Sequence, residues 1–240
     1  MDEFVTQARL ADTDFVKGAL LLVDKPAEWT SFDVVNKIRG TLRHVLNISK
    51  IKVGHAGTLD PMATGLLLIC TGKWTTRLEE YQGLDKVYTG VMTLGAITAS
   101  YDKETPEENH KPVGRLTENM IMAAVAQFVG EVDQVPPMYS AIKVEGKPLY
   151  QSARKGKQVE VKARKVHIHA FEITRVNLPH VSFTVHCSKG TYIRSLARDL
   201  GERLDCGAYL SGLRRTRIGP YRIEDAWILE DLIAGLKKCM

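Results

Sequence analysis

No stretch of this chain offers the run of about eighteen apolar residues that a membrane span requires. Its opening, MDEFVTQARLADTDF, is acidic where a secretion signal would be basic and then apolar. A cytoplasmic protein without a membrane partner is therefore expected. Cysteine is sparse. Cys70, Cys187, Cys206 and Cys239 are scattered, with no CxxC pair and no histidine at zinc-finger spacing, so reduced thiols are expected rather than disulfides or metal ligands. Internal repeats are absent as well, which excludes solenoids and propellers. With 240 residues and 44% hydrophobic content, the chain can bury a substantial core in one large domain or two small ones.

The net charge of +5 is modest, but its distribution is uneven. From Lys143 to Lys165 eight Lys or Arg face only Glu145 and Glu160. From Lys189 to Arg217 seven face Asp199, Glu202 and Asp205, so the rest of the chain is net acidic. Such clustering is the footprint of a protein that meets a phosphate backbone, although a solvated charged face gives the same count.

After an unpatterned extension over residues 1–17, ALLLVDKP reads as a buried strand ending in a turn at Pro26. Ser31 can cap a helix whose apolar face is Val34, Val35, Ile38 and Leu42. LLLICT (66–71) reads as a second buried strand, and KVYTGVMTLG (86–95) as a third with alternating faces. Ser100 to His110 is an acidic loop, and Thr117 can cap a helix that ends at Gly130. Residues 131–165 hold three prolines, two glycines and many cations, which predicts an exposed, gripping insertion around a short helix near Pro148. VHIHAFEITRV and VSFTVHC form a hairpin turning at Asn177 to His180. His167, His169 and His186 ride on it as polar residues of its solvent face, so no metal site is expected. Thr191 can cap the next helix, and a basic strand and a terminal helix close the chain. Helices and strands interleave without strict βαβ order, which predicts an α+β fold around a mixed, largely antiparallel sheet.

Gly54-His55-Ala56-Gly57-Thr58-Leu59-Asp60-Pro61-Met62-Ala63-Thr64-Gly65 packs three glycines, a proline and one carboxylate between two strands. Its glycines can adopt backbone angles closed to other residues, and Pro61 biases Asp60 away from helical geometry. The loop presents Asp60. An Asp in such a setting is commonly only a turn residue bonded to its own backbone. Two sharper alternatives fail on position. In phosphatases of the haloacid-dehalogenase kind the nucleophilic Asp precedes the GT step, where this chain has Gly54 and Ala56, and no GxxxxGK[ST] run exists for a phosphate-cradling loop. Arg194 falls in the first turn of its helix, where the macrodipole disfavours a cation, so a carboxylate partner is expected, with Asp60 the candidate. An ionised, positioned Asp without a metal or a His partner points to a nucleophile or a base.

GHAGTLDPMATG, KVYTGVMTLG, PPMYSAIK and CSKGTYIRSL, with DKP near the start and LRR near the end, resemble the TruB family of tRNA pseudouridine synthases from about Gly18 to Trp227. The resemblance implies a pseudouridine synthase fold over residues 18–240 with a thumb-like insertion at about 131–165. It implies isomerisation of uridine 55 in the T-loop of tRNA, without metal or organic cofactor, by a monomer. In that scheme Asp60 is the nucleophile, attacking either the pyrimidine ring or the ribose anomeric carbon. Tyr88 stacks on the target uracil and is a candidate to take its proton, and Arg194 pairs with Asp60. Tyr192 and Leu213 line the uracil pocket, and His55 fills the stack vacated by an extruded base. Tyr139, Lys143 and Tyr150 become RNA contacts. The family commonly continues past LRR into a small RNA-binding PUA domain, whereas this sequence runs only to Met240, so no such domain is expected here. The family also commonly has glycine where this chain has Glu28, so a different local geometry is expected there. Two other classes share some of these features: an RNA-binding or RNA-folding module in which Asp60 is structural, and a guide-RNA-dependent synthase akin to dyskerin.

Overall fold

A computed structural model describes residues 3–140, 143–144, 146–153, 159 and 161–239, with the side chains of Lys143, Val144, Lys147, Pro148, Tyr150 and Ser152 outside that description. In chain order the elements are β1 (Leu20–Lys25), α1 (Ser31–Val45), β2 (Val53–His55), β3 (Thr64–Thr71), α2 (Leu78–Gln82), β4 (Lys86–Leu94), β5 (Ile97–Thr98) and β6 (Glu107–Glu108). There follow α3 (Glu118–Ala126), β7 (Gly130–Gln134), β8 (Lys143–Val144), β9 (Lys147–Pro148), α4 (Leu149–Ala153), β10 (Arg164–Asn177), β11 (His180–Cys187) and α5 (Ile193–Arg203). The last are β12 (Ala208–Ile218), β13 (Tyr221–Arg222), β14 (Trp227–Ile228) and α6 (Leu229–Lys238). The fold is α+β, as the alternation of patterns predicts. Two compact units divide it: residues 1–88 with 214–240, and residues 89–213. No described helix is long and apolar enough to cross a membrane.

In the first unit β1 pairs antiparallel with β3, Leu20 opposite Cys70 through Lys25 opposite Gly65, and parallel with β14. The other edge of β3 is shared. β2 takes its far end (His55 opposite Ile69), and the end of β12 takes its beginning in parallel register (Arg214 opposite Thr64, Arg215 opposite Gly65). Both faces of this mixed sheet are covered, which is why β1 and β3 are nearly continuous apolar runs. Leu21, Val23, Leu67 and Ile69 pack with Val34, Val35, Ile38 and Leu42 of α1 and with Leu229, Leu232, Ile233 and Leu236 of α6. Leu20, Leu22, Leu66 and Leu68 pack on the opposite face with Tyr81, Ile218 and Tyr221. Val5, Leu10 and Phe15, from the stretch that shows no pattern in the sequence, are buried in the α1 and α6 core.

The helix start differs from the expectation by one residue, with a consequence. Thr30, not Ser31, is the N-cap: its Oγ1 accepts from Asp33 N–H at 3.0 Å while the Asp33 carboxylate accepts from Thr30 N–H at 2.9 Å. Ser31 is thereby free to bind elsewhere.

In the second unit β11, β10 and β7 pair antiparallel in that order, with most of β4 and β12 on the β11 side of this sheet, and β10 and β11 turn at Asn177 and His180 as expected. Phe128, Phe171 and Phe183 form a chain of edge-on rings 6.2 and 5.7 Å apart beneath it. Thr117 caps α3 through Met120 N–H. Thr191 does not cap α5, because its hydroxyl donates to Ser188 O at 3.0 Å. The side-chain amide of Gln134 does that work instead, accepting from Tyr192 N–H at 2.7 Å and donating to Tyr192 O at 3.1 Å.

Candidate active site

The Asp60 loop spans the gap between the end of β2 and the start of β3, where β12 replaces β2 as the neighbour of β3. Its backbone is fastened on both sides of the half-buried Asp60. On one side, Leu59 N–H donates to Ser31 Oγ at 2.8 Å and Ser31 Oγ donates to Leu59 O at 3.2 Å. On the other, Pro61 O accepts from Glu28 N–H at 2.9 Å and from Lys25 Nζ at 3.2 Å. Asp60 O itself accepts from Ala63 N–H at 3.0 Å. A carboxylate between two such anchors has little freedom to drift, the condition for a positioned reactive group.

Lys25, which sequence reasoning passed over, is the hub of this anchoring. It is fully buried, and its ammonium donates to Pro26 O, Trp29 O and Pro61 O at 2.8, 2.6 and 3.2 Å, matching each donor with a carbonyl. Burial pushes its pKa down to about 8, against the pull of the neighbouring Asp60 and Glu28 carboxylates. A lysine closing an apolar strand is the signal that marks it. Arg215, also buried, binds from beneath: its Nε donates to Leu66 O at 2.7 Å and a terminal nitrogen to Gly57 O at 3.0 Å.

The glycines divide the work. Gly57 and Gly65 adopt φ of 99° and 109°, as the loop reading requires. Gly54 has no left-handed angle. Its need is space, since a Cβ there would lie 2.7 Å from Leu78 Cδ1. Glu28 corrects a second expectation. The turn keeps a left-handed conformation with φ of 65° despite its side chain, which costs about 1–2 kcal/mol. The Glu28 N–H bond to Pro61 and the attraction between its carboxylate and Lys25 offset that strain.

His55, at the near end of the loop, is half-buried, and its Nδ1 is buried without a hydrogen-bond partner among the described residues. Burial first, and the Arg215 charge second, push its pKa below the usual histidine value, so the ring is neutral. A neutral imidazole with one unused nitrogen suits stacking against a base better than pairing with a phosphate. Tyr88 is buried on β4, and Lys86 before it is buried too, its ammonium bound to Gln82 O at 2.6 Å and to Leu84 O.

His55, Asp60 and Tyr88 belong to the first unit; Tyr139, Tyr192, Arg194 and Leu213 belong to the second. Tyr139 and Leu213 are half-buried. Tyr192 is the N-cap of α5, and the Arg164 guanidinium lies over its ring at 4.5 Å. Arg194 is the second residue of α5 and almost wholly buried. The carboxylate that answers the dipole argument within its own unit is Asp102, 3.3 Å away and equally buried. Ser100 Oγ and Glu104 N–H donate to the Asp102 carboxylate at 2.6 and 2.8 Å, and Arg194 also donates to Ser100 O at 3.2 Å. Asp102 lies in the segment read as an acidic loop, with nothing local to distinguish it.

The two basic windows are less available to a phosphate backbone than their charge suggests. Arg214 clamps Asp24 at 2.6 and 3.0 Å, Arg198 binds Asp199, Arg203 binds Gln127, Lys165 binds Glu131 at 2.5 Å, and Arg194 and Arg215 are buried. The side chains of Lys143 and Tyr150, and all of Arg154, Lys155 and Lys157, lie outside the described residues.

Comparison with known proteins agrees with this architecture. The N-terminal domain of TruB family pseudouridylate synthase matches residues 43–193, and the C-terminal domain of tRNA pseudouridylate synthase B matches residues 194–238. The tRNA pseudouridine synthase B of Flavobacterium johnsoniae is 51% identical over 214 residues, 89% of this chain and 93% of its own length. That of Chlorobium luteolum is 54% identical over 220 residues, 91% and 75% of the two lengths. A crystal structure of a Cbf5-Nop10-Gar1 complex contains a chain that superposes with a TM-score of 0.71 at 29% identity. The match covers 97% of this chain but only 58% of that one, so the chain spans little more than half of that relative. A family model over residues 43–193 and relatives more than half identical over about nine-tenths of the chain place it in the TruB family of pseudouridine synthases.

Proposed function

We propose that this protein converts uridine 55 in the T-loop of tRNA to pseudouridine and that Asp60 is its nucleophile. The observation that carries the assignment is the fastening of Leu59 and Pro61 on either side of Asp60, in a chain whose relatives are named tRNA pseudouridine synthase B. The reaction is an isomerisation: the N1–C1′ bond breaks, a C5–C1′ bond forms, and the proton leaving C5 is balanced by one gained at N1. Asp60 attacks carbon, at the anomeric centre or the pyrimidine ring, and is released when the new bond closes.

The target must leave its stack to be reached. Tyr88 packs against the extruded uracil and is the candidate to take the C5 proton. Tyr192 and Leu213 wall the pocket, and the neutral His55 ring occupies the vacated place. Arg194 is the candidate partner for the Asp60 carboxylate, and Asp102 holds Arg194. Tyr139, Lys143 and the segment around residues 131–165 grip the T-stem, a mode suited to RNA read by shape and splayed bases.

Asp60→Asn, assayed on a T-stem-loop transcript and on one with cytidine at position 55, tests the reading. Expected is loss of pseudouridine formation with transcript binding retained, and no product from the cytidine transcript. Unchanged turnover by Asp60→Asn would overturn the nucleophile assignment, and product at another uridine would overturn the position. A guide-RNA-dependent activity, which the Cbf5 likeness raises, requires partners. Turnover by the purified chain alone on naked transcript decides against it.

A further inference from the structure

Two residues hold Tyr192, and they face each other across one pair of strands. Arg164 opens β10 and stands opposite Gln134, the last residue of β7. Gln134 grips the main chain of Tyr192 through its side-chain amide, accepting from the N–H at 2.7 Å and donating to the carbonyl at 3.1 Å. Arg164 takes the ring. Its guanidinium carbon lies 4.5 Å from the ring centroid, and a terminal nitrogen donates to Gly190 O, two residues before Tyr192. All four residues belong to the second unit.

An arginine at a strand end that reaches for water keeps its donors hydrated. Here Nε is buried with no hydrogen-bond partner among the described residues, which costs free energy. The contact with the ring and the bond to Gly190 must outweigh that cost. A planar, delocalised cation can lie over an aromatic face and still donate from its edge, which a compact ammonium does less well. Gln134 fixes the main chain of Tyr192 but leaves the torsions of its ring free, and the guanidinium is the polar group that meets the ring. We infer that Arg164 is a positioning residue: it holds the Tyr192 ring at the angle at which that ring walls the uracil pocket, and it acts on turnover through Tyr192 rather than by gripping RNA. This rests on the pocket role proposed for Tyr192. A count of the basic window would instead assign Arg164 to a phosphate, and the two roles leave different kinetic traces.

Single-turnover assays with excess enzyme on the T-stem-loop transcript, alongside the dissociation constant of that transcript, separate them. Arg164→Met should slow conversion about tenfold or more while binding stays within about threefold, because a misplaced pocket wall costs rate rather than grip. Arg164→Lys, which keeps the charge without the planar fork, should recover little of the loss. In a Tyr192→Leu background Arg164→Met should add less than about twofold, since the ring it acts on is gone, whereas in Tyr192→Phe it should keep its full effect. Circular dichroism melts identify any variant that fails to fold, and Arg164→Lys, the mildest change, then carries the comparison. Losses that multiply in the Arg164→Met, Tyr192→Leu double variant would overturn the inference. So would weakened binding with a flattened salt dependence and an unchanged rate, the trace of a phosphate contact. A parent chain inactive on the transcript would overturn the proposed function itself, a result distinct from these because it needs no substitution.

Discussion

Replacing Gly65 by alanine puts the link between the Asp60 loop and β12 under direct test. A methyl group at residue 65 would lie 2.3 Å from Arg215 O and 2.6 Å from Arg215 N, main-chain atoms of a paired strand that cannot rotate away. Residue 65 also has φ of 109°, which an L residue adopts only under strain. The conformational strain is about 1–2 kcal/mol and the overpacking another 1–3 kcal/mol, so Gly65→Ala should lose about 2–5 kcal/mol. Gly40→Ala is the matched control. Gly40 is exposed on α1, a Cβ there meets nothing within 4 Å, and alanine should raise stability by about 0.5–1 kcal/mol. Urea denaturation followed by circular dichroism measures both against the parent, with the m-value showing whether the same transition is being compared. Because Arg215 carries Gly57 O, the Gly65→Ala chain should also lose turnover in the fraction that remains folded. A Gly65→Ala midpoint equal to that of Gly40→Ala would refute the argument, since it would mean that β3 and β12 separate at no cost.

Two further outcomes follow from buried charge. Asp102→Ala removes the carboxylate 3.3 Å from the nearly inaccessible Arg194 guanidinium, which is also the acceptor for Ser100 Oγ and Glu104 N–H, and should cost about 1–3 kcal/mol by thermal denaturation; an unchanged midpoint would show that the carboxylate holds nothing. Lys25 has a folded pKa of about 8, below its unfolded value of 10.5, so the unfolded chain binds more protons between those values and stability should rise with pH across that window. From pH 7.5 to 9.5 the parent should gain roughly 1–2 kcal/mol relative to Lys25→Met, and a flat or falling difference would contradict the assignment.

Much of this was legible in the sequence. The apolar runs of β1 and β3 announce strands buried on both faces, the spacing of Val34, Val35, Ile38 and Leu42 marks the buried side of α1, and the hairpin turn at 177–180 is where the alternation breaks. The glycines and Pro61 identify the Asp60 loop. What periodicity cannot reveal is who meets whom across the chain. Asp102 looks like any other acid in its loop until Arg194 arrives from 92 positions on, and Arg215 counts as part of a basic patch until it is found under Gly57. The same holds for the basic windows, where a count of charges does not register which are spent inside the protein. Glu28 shows the limit of residue preference: a loop held by Pro61 and Lys25 imposes a left-handed angle on a residue that disfavours it.

The bond from Arg215 to Gly57 joins residues 158 positions apart, and it has a consequence in time. On a ribosome adding about 5–20 residues per second, the Asp60 segment waits roughly 8–30 seconds before the strand that underpins it has been made. The contiguous unit of residues 89–213 can be synthesised in full during that interval, whereas the unit that carries Asp60 is still missing β14 and α6. A nascent or truncated chain therefore holds this loop through Ser31 and Lys25, without the Arg215 bond beneath Gly57.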